Sequence, residues 1–494
     1  MNIIDRAISI PFPGWAARRA EARYKLGVYS SYEAAKPSRH RKRRGDAKSG
    51  SATANEAVKT LREIARDLEQ NHDIAKGGLD ILVNCTVGNG IIVEPMVKDT
   101  SGKLLDDVNE QIADLRNEWA RTPDVTKELS NGEMERLVAR SLFRDGEVFA
   151  QHVEGNVIKF RHGSNVPYSI ELIESDMVPE LMIDMRKRIT SGIERNGWGE
   201  PIGYHVLKTH PGDAFNFNIL FDTKRVPAER ISHLKMTTRI KQNRGISIFA
   251  SAYTRLDDLR DFEESERIAA RIAAAQVMAI TRSPDVPYDS STVGEDRLFD
   301  VAPGTVWEDL LPGEKPEILS SDRPNNNLAD FRMGQLKAAA AGMGVNYSSL
   351  AKNYAGTYSS QRQELAESYG TYGANTFLFI QWFTRPNYDR FLRMALLKDL
   401  IDLPPNVDVN TLYHAEFVGP VAPWIDPYKE IKADETAINL KTLSRSQAIR
   451  KRGGSPRDTF KQIELENKLF DNQPNNQNTN GMNNQDKGNT GGNA

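Results

Sequence analysis

The sequence predicts an α+β fold that is mainly helical and carries one small antiparallel β region. The helical part is predicted because apolar residues recur at helical spacing through 56–86 and again through 253–282. The β part is predicted because residues 154–242 alternate short apolar runs, such as VIKF, SIELI, IGYHVL and RISHLKM, with Gly, Pro, Asn and Asp. At 494 residues the chain is long enough for several domains and a sizeable core.

The composition argues against several classes of protein. The net charge of −2 provides no global basic field of the kind that tight DNA binders carry. The single cysteine, Cys85, excludes a disulfide within the chain and argues against a cysteine-based zinc site, which fits assembly inside a reducing cell. We find no run of about eighteen apolar residues and no signal-peptide core, so we expect no membrane partner.

Residues 1–55 are predicted to form a basic, poorly ordered arm. Residues 1–50 hold twelve Lys or Arg side chains against four acids, in a chain that is slightly acidic as a whole. Two interpretations stay open, a solvated segment or a contact with phosphates or an acidic partner surface. The densest basic cluster of the arm consists of Arg39, Arg41, Lys42, Arg43 and Arg44.

The longest helical pattern runs from Tyr253 to Arg282 without Gly or Pro. A continuous helix of that length would extend roughly 45 Å. Leu256, Leu259 and Phe262 begin its apolar stripe, and the small side chains of its second half let neighbouring helices approach closely. We therefore predict one uninterrupted helix here.

Shorter elements precede the β region. A helix is predicted at about 104–120, and residues 132–153 begin as a helix, end it at Asp145-Gly146 and continue as a strand. The Gly88-Asn89-Gly90 run lacks the third glycine and the following helix of a dinucleotide-binding loop. We predict a tight turn there, leading into a short strand within 87–95.

The segment after the long helix, residues 283–324, is rich in Pro and Gly and contains two strand-like runs. A helix is predicted at 327–343, with Asn327 as its N-cap. The following stretch lacks clear periodicity, and we predict a loop of about fifteen residues within 343–360. A loop of that length inside an ordered body is uncommon unless it has a function.

The last part of the chain is predicted to be helical at 361–400, around 428–452 and at 455–469. Residues 471–494 contain nine asparagines and almost nothing apolar. A segment of this composition cannot bury enough apolar surface to fold, so we predict that it is disordered.

The sequence contains none of the usual catalytic motifs. GxxxxGK[ST], HExxH and GxSxG are absent, and the eight histidines show no metal-ligand spacing. His162, His205 and His233 lie in the β region and could meet in space, but surface or strand positions are the simpler interpretation. Cys85 is interpreted as a small buried residue. We therefore predict no enzymatic activity, no cofactor and no metal.

Several segments together resemble the portal proteins of tailed phages, specifically the lambda-type portal family. The matching segments are PGWAARRAEAR, LREIARDLEQNHDIAKGGLDILVNCTVGNGI, LFRDGEVFAQ, GYHVL, RISHLKMTTRIKQNRGIS, the long helix and GMGVNYSSLAKNYAGTYSSQRQE. Their order and spacing, rather than any one motif, make the resemblance specific. It covers roughly residues 10–450 and excludes the Asn-rich end.

This resemblance implies a homo-oligomeric ring, typically a dodecamer, at one vertex of the capsid. Double-stranded DNA is packaged and later ejected through the central channel of such a ring. The other implied partners are the terminase, the head–tail adaptor and the major capsid protein. The implied location is the virion, after assembly in the cytoplasm of the host bacterium.

The resemblance also implies a fold made of wing, stem, clip, tunnel loop and crown. Transferred to this sequence, it places the wing at 56–250, the stem helices at 251–342 with the clip inserted at 283–324, the tunnel loop at 343–360, and further wing and crown helices at 361–470. The candidate channel residues of the tunnel loop are Asn346, Tyr347, Lys352, Asn353 and Tyr354. The candidate contacts of the clip with terminase or adaptor are Glu295, Arg297, Trp307 and Glu308.

The near-neutral charge of the chain fits a conduit. DNA carries a charge every ~1.7 Å, so a strongly basic bore would hold it through counterion release instead of letting it slide. Two alternatives remain open on the sequence. The chain could be another head or head–tail connector component of a phage or, with less support, an enzyme that processes nucleic acid, such as a nuclease or a packaging ATPase.

Overall fold

The computed structural model describes residues 48–213, 222–274, 278–282, 314–318, 328–421 and 427–471. The chain divides into two units after Thr53, and the first unit is described only from residue 48 onward. The basic cluster of the arm, Asn327, the four candidate clip residues and nearly all of the Asn-rich end lie outside the described residues.

Four helices and one short strand, all before the β region, contribute residues to a shared apolar core. In chain order they are α1 (Gly50–Asn71), α2 (Asp73–Thr86), β1 (Ile92–Pro95), α3 (Asp106–Trp119) and α4 (Asn131–Asp145). The predicted helices at 56–86 and 104–120 and the strand within 87–95 are confirmed. The predicted turn before the strand is also present, because Gly88 and Gly90 both have positive φ angles, of 56° and 122°.

Both ends of α4 follow from local chemistry. The Ser130 hydroxyl accepts a hydrogen bond from the backbone N–H of Glu133, and the Glu133 carboxylate accepts one from the N–H of Ser130. At the other end, Gly146 has a φ of 87°, and a Cβ there would lie 2.3 Å from the carbonyl carbon of Ile246. Only glycine fits this position, so the predicted helix end at Asp145-Gly146 is confirmed.

The predicted β region forms two antiparallel sheets. Its strands are β2 (Glu147–Glu154), β3 (Tyr168–Ile173), β4 (Ile189–Thr190), β5 (Ile193–Arg195), β6 (Pro201–Leu207), β7 (Thr223–Pro227) and β8 (Ile231–Lys235). One sheet has the order β3–β2–β8 and the other β4–β5–β6–β7. The VIKF run was wrongly expected to be a strand. Its backbone closes a turn, in which the N–H of Phe160 donates to the carbonyl of Val157 at 3.1 Å.

The long helix is shorter than predicted. Helix α5 covers Tyr253–Ala274, and the chain then forms β9 (Met278–Arg282), which pairs antiparallel with β10 (Glu314–Ile318). The expectation of one helix as far as Arg282 is therefore wrong for its last residues. The returning strand of the insertion supplies hydrogen-bond partners for an extended backbone, which outweighs the helical pattern of these side chains.

The predicted loop at 343–360 is also corrected in part. Helix α6 (Leu328–Met343) matches the predicted helix before it. The next short helix, α7 (Tyr347–Ala351), takes up the first half of the predicted loop. It forms because Leu350 is buried in the common core, a contact that no local periodicity reveals. Residues 352–360 remain exposed.

The helical prediction for 361–400 is confirmed by α8 (Tyr358–Phe379) and α9 (Arg385–Leu397), which a π-helical turn joins. Strand β11 (Ala415–Val418) follows and pairs with β1. The last helices are α10 (Pro427–Asn439), α11 (Arg445–Lys451) and α12 (Pro456–Asp471).

The helix predicted around 428–452 is thus two helices, because Ser444 and Gln447 form a capping box that starts a new one. Within the described part of the chain, no helix combines the length and the apolar character needed to cross a bilayer.

Candidate functional site

The candidate site is built on the two helices that flank the insertion, α5 and α6. Leu256 and Leu259 of α5 and Leu336 of α6 are at most 2% exposed. Farther along the pair, the rings of Phe262 and Phe331 lie 4.5 Å apart. The two helices therefore pack side by side through apolar contacts that continue along α5.

Polar contacts between these helices are weaker. The Nε of Arg332 donates to the Glu263 carboxylate at 2.6 Å, and an Nη of Arg255 donates to the Gln335 amide at 3.2 Å. The Arg332 side chain is 46% exposed, so water screens its ion pair, which contributes roughly 0–1 kcal/mol. Burying one leucine contributes about 1.5–3 kcal/mol, so the apolar contacts decide the packing.

The start of α5 is fixed to the helical body at two points. The Nε2 of His72 lies 3.1 Å from the carbonyl oxygen of Leu256, which connects α5 to the segment between α1 and α2. The Ser251 hydroxyl donates to the carbonyl of Gly342 at 2.8 Å, near the end of α6. The first contact holds the beginning of α5 against the segment between α1 and α2, and the second holds it against the end of α6.

A buried ion pair fixes the segment that leads into α5. Arg244 and Glu147 are both 0% exposed, and the Nε of Arg244 donates to Oε1 of Glu147 at 2.6 Å. The remaining guanidinium N–H groups donate to the carbonyls of Ser175, Val178 and Ser191. Burial alone would raise the pKa of Glu147, but Arg244, followed by His233, holds it well below its usual range. This cluster ties three segments of the β region to the residues that lead into α5.

Two histidines of the β region are buried without being charged. The Nε2 of His233 lies 3.1 Å from Oε2 of Glu147, and burial lowers the pKa of His233 to about 4 despite that contact. Burial likewise lowers the pKa of His152 to about 3. His162 contacts Ser169 instead, with Nδ1 2.9 Å from the hydroxyl. His152 and His233 lie in strands β2 and β8, and His162 lies in the loop between β2 and β3, which agrees with the simpler interpretation of surface or strand positions for His162 and His233.

Among the described residues, three possible metal ligands come together, namely Glu174, Asp176 and His210. Nη2 of Arg66 lies 2.6 Å from the Asp176 carboxylate, and Nη2 of Arg62 lies 3.0 Å from it. Because two guanidinium groups already neutralise Asp176, this cluster is an ion-pair network.

The structure places the five candidate loop residues in two different environments. Asn346 is buried, and its Oδ1 accepts a hydrogen bond from the Tyr372 hydroxyl at 3.2 Å. Tyr347 is half-buried, with the ammonium group of Lys337 5.4 Å from its ring centroid. These two residues fix α7 to its neighbours and do not face solvent freely.

The other three candidates, Lys352, Asn353 and Tyr354, are exposed, with Tyr354 at 60%. Lys352 has a φ of 52°, which turns the chain out of α7. The loop is closed from the other side by Gln361, whose amide donates to the carbonyl of Tyr354 at 2.5 Å. The exposed part of the predicted loop is therefore 352–360.

The sequence analysis missed the Arg244–Glu147 pair. The two residues lie 97 positions apart, in the RISHLKMTTRIKQNRGIS and LFRDGEVFAQ segments. Both segments are among those that resemble portal proteins, but a charged residue in a polar run gives no periodic signal that it will be buried. The available signal was indirect, since Gly146 and Gly245 flank these charges where backbones approach closely.

Comparison with known proteins identifies the class. The family described as "Phage portal protein, lambda family" matches residues 36–374, which is more than half of the chain. The probable portal protein of Halomonas phage phiHAP-1 is 25% identical over 83% of this chain and 80% of its own length. Portal protein B of Escherichia phage lambda is 21% identical over 55% of this chain and 57% of its own length.

Two of the solved structures to which this chain is similar come from gene transfer agent particles. One is described as the virion of the native particle, with 12% identity, a TM-score of 0.43 and coverage of 81% of this chain and 94% of that chain. The other, the neck of the native particle computed with C12 symmetry, has 11% identity, a TM-score of 0.40 and coverage of 82% and 99%.

The family match over residues 36–374 is the finding that defines the class, a phage portal protein. The chain belongs to the lambda family of phage portal proteins. Proteins of this class are structural components of the virion, at a capsid vertex.

Proposed function

We propose that copies of this chain form a closed ring of twelve, whose central channel carries double-stranded DNA into the capsid and later out of it. The observation that supports this most directly is the α5–α6 pair. In this proposal the two helices, packed side by side, form the wall of the channel. The strand-containing insertion between them makes contacts outside the channel, and the exposed loop after them makes contacts inside it.

The parts of the chain are assigned accordingly. The wing is 56–250, the stem is formed by the helices within 251–342, the clip is 283–324, and further wing and crown helices lie at 361–470. Because α7 is packed into the core, the part of the tunnel loop that reaches the channel is narrowed to residues 352–360. Arg297, Trp307 and their acidic neighbours in the clip are proposed to contact terminase and then the head–tail adaptor.

The charge of the helix pair supports a sliding contact with DNA. Helix α5 contains six acidic residues against four arginines, and the single lysine of α6, Lys337, lies over the ring of Tyr347. A wall without an excess of positive charge releases few counterions when DNA passes, so it does not hold the duplex tightly. The basic arm, in contrast, is proposed to contact phosphates or an acidic partner surface.

The purified chain tests the ring directly. Negative-stain class averages should show closed rings, and their symmetry gives the subunit number. A chain that stays monomeric at every concentration would refute the assignment of α5 and α6 to a channel wall.

An enzymatic role is the competing proposal. Assays for divalent-metal-dependent DNA cleavage and for ATP turnover on purified rings should both be negative. Turnover that rises with ring concentration and is lost with a point variant of the chain would favour the enzyme instead.

A further inference from the structure

Each helix of the α5–α6 pair has a side that faces away from the other helix. Phe262 and Glu263 mark the inner side of α5, and their partners Phe331 and Arg332 mark the inner side of α6. Successive residues of an α-helix are turned by about 100° around its axis, so these contacts also identify the residues on the outer side of each helix.

The outer side of α5 is the row formed by Asp261, Glu264, Ile268 and Arg271, here named the α5 flank. These residues recur at intervals of three or four positions, and all of them are exposed, Ile268 at 49%. Among the described residues, the two carboxylates and the guanidinium have no hydrogen-bond or ion-pair partner. Along the helix, the α5 flank is first acidic, then apolar and then basic.

The outer side of α6 carries Asp330, Gly334 and Lys337, here named the α6 flank, and all three are exposed. Lys337 lies over the ring of Tyr347, but within the described chain neither Lys337 nor Asp330 forms an ion pair. A Cβ added at Gly334 would meet no atom within 4 Å. Glycine destabilises the middle of a helix, so its presence at an exposed position indicates a close approach by something outside the subunit.

The charges of the two flanks match in one antiparallel register. Glu264 and Arg271 lie seven residues apart on α5, and Asp330 and Lys337 lie seven residues apart on α6. The acidic residue comes first in both helices, so an antiparallel alignment that places Glu264 beside Lys337 also places Arg271 beside Asp330. A parallel alignment would bring like charges together. The charge pattern therefore specifies both the direction and the register of a contact between the flanks.

The apolar part of the flanks fits the same register. Ile268 lies four residues after the acidic residue of its flank, and Gly334 lies four residues after the acidic residue of its own. The register that pairs the charges places Ile268 opposite Gly334, where the missing side chain leaves space for it. Because the two flanks of one subunit face away from each other, this fit requires two copies of the chain.

A closed ring requires a heterologous interface, in which two different patches of one chain complement each other on adjacent copies. Resting on the proposed ring, we propose that the α5 flank of one subunit packs against the α6 flank of the adjacent subunit. Rotation about the ring axis keeps the direction of every helix, so α5 meets the neighbouring α6 antiparallel, as the charges require. The two ion pairs and the apolar contact then form once per subunit.

This register also defines how the helix pair stands in the ring. Within a subunit Glu263 pairs with Arg332, whereas between subunits Glu264 pairs with Lys337. The neighbouring α6 is therefore displaced by six residues, or about 9 Å, along its axis. Rotation about the ring axis keeps the height of every residue, so this displacement requires the helix pair to lean relative to that axis.

Charge reversal and its rescue test the ion pairs. Glu264→Lys and Lys337→Glu should each raise the protein concentration needed for half-maximal ring formation at least about ten-fold, measured by mass photometry. The double variant should recover most of that loss, since opposite charges face each other again. Lys76→Glu, the reversal of an exposed lysine on α2, is the matched control and should assemble normally.

Gly334→Leu separates the contact from the folding of the subunit. The new side chain meets no atom of its own subunit, and leucine favours a helix more than glycine does. Thermal unfolding of the unassembled chain should therefore be unchanged or shifted to a higher temperature. Ring formation should nevertheless require at least about ten-fold more protein, because the leucine fills the space that Ile268 of the adjacent subunit enters.

A cysteine pair tests the register independently of assembly strength. In a Cys85→Ala background, Ile268→Cys with Gly334→Cys should give covalent multimers on oxidation, whereas Lys76→Cys with Gly334→Cys should not. A disulfide that forms only within single chains would overturn the contact.

The other outcomes separate this contact from the ring itself. Normal rings from both single reversals, a double variant no better than the singles, or normal rings from Gly334→Leu would overturn the contact and leave the ring intact. If Gly334→Leu forms normal rings but blocks DNA packaging, the α6 flank faces the channel and the contact is likewise overturned. A wild-type chain that forms no ring would instead refute the proposed function.

Discussion

The guanidinium of Arg244 and the carboxylate of Glu147 form an ion pair with no solvent exposure, with Nε 2.6 Å from Oε1, where the chain leaves the β region for α5. Two charges buried together are stable only when each keeps its partner and its hydrogen bonds. In this pair the guanidinium has three further carbonyl acceptors and Glu147 has His233. This pair therefore ties the segment that leads into α5 to the β region.

Arg244→Met should destabilise the chain by about 3–5 kcal/mol, because it leaves the Glu147 carboxylate buried without a counter-charge. The shift in the midpoint of urea unfolding at pH 7 measures this loss. The double variant Arg244→Met with Glu147→Leu is the control, since removing both charges should cost less than removing one. Equal losses of unfolding free energy in the single and double variants would show that packing, not charge, stabilises the connection between the β region and α5.

The stability of the chain should rise with pH between about 4 and 6.5. The folded-state pKa of His233 is lowered to about 4, so the unfolded chain binds the proton in this window and the folded chain does not. His152, with a pKa lowered to about 3, acts in the same direction. Glu147 adds to the trend, because its lowered pKa contributes stability above the unfolded value that is lost as the pH falls.

His233→Gln should therefore flatten the pH dependence of the unfolding free energy by up to about 1.4 kcal/mol per pH unit within that window. Urea unfolding at several pH values from 4 to 7 provides the measurement. The exposed His414 offers the matched control, His414→Gln. A slope unchanged in His233→Gln would mean that His233 is not held neutral by burial.

The pairing of α5 with α6 should depend on its apolar residues and hardly on its ion pair. Leu259→Ala should destabilise the helix pair by about 2–5 kcal/mol, because the side chain is 1% exposed and truncation leaves a cavity. Glu263→Gln should change stability by less than about 1 kcal/mol, since its partner Arg332 is half exposed. The rates of hydrogen exchange of α6 amides compare the stability of the helix pair in the two variants. A larger increase in Glu263→Gln than in Leu259→Ala would contradict the conclusion that apolar contacts stabilise the pair more than the ion pair does.

Replacing Lys352, Asn353 and Tyr354 together by alanine should leave rings and thermal stability unchanged but impair DNA packaging or retention. All three side chains are exposed, so the fold does not depend on them. Electron microscopy checks the rings, and nuclease protection of packaged DNA checks the function.

Asn346→Ala is the contrasting variant, because its buried amide bonds to Tyr372 and should cost about 1–3 kcal/mol of stability. Normal packaging in the triple variant would refute the assignment of 352–360 to the channel.

The sequence by itself determined the elements whose signals are local. The helix end at Asp145-Gly146 was predictable because a glycine follows the apolar pattern. The β region was predictable because turn-forming residues separate its short apolar runs. The resemblance to portal proteins could likewise be recognised from the sequence alone, since it rests on the order of segments along the chain.

Only the tertiary structure decided the elements that depend on distant partners. Helix α5 ends at Ala274 because the backbone after it pairs with Glu314–Ile318, and α7 forms because Leu350 meets the core. The sequence around Arg244 is typical of a solvated charge, whereas the structure buries Arg244 beside Glu147, 97 residues earlier. Periodicity reports which face of an element is apolar, but the free energy of a strand pair or a buried ion pair belongs to two segments at once.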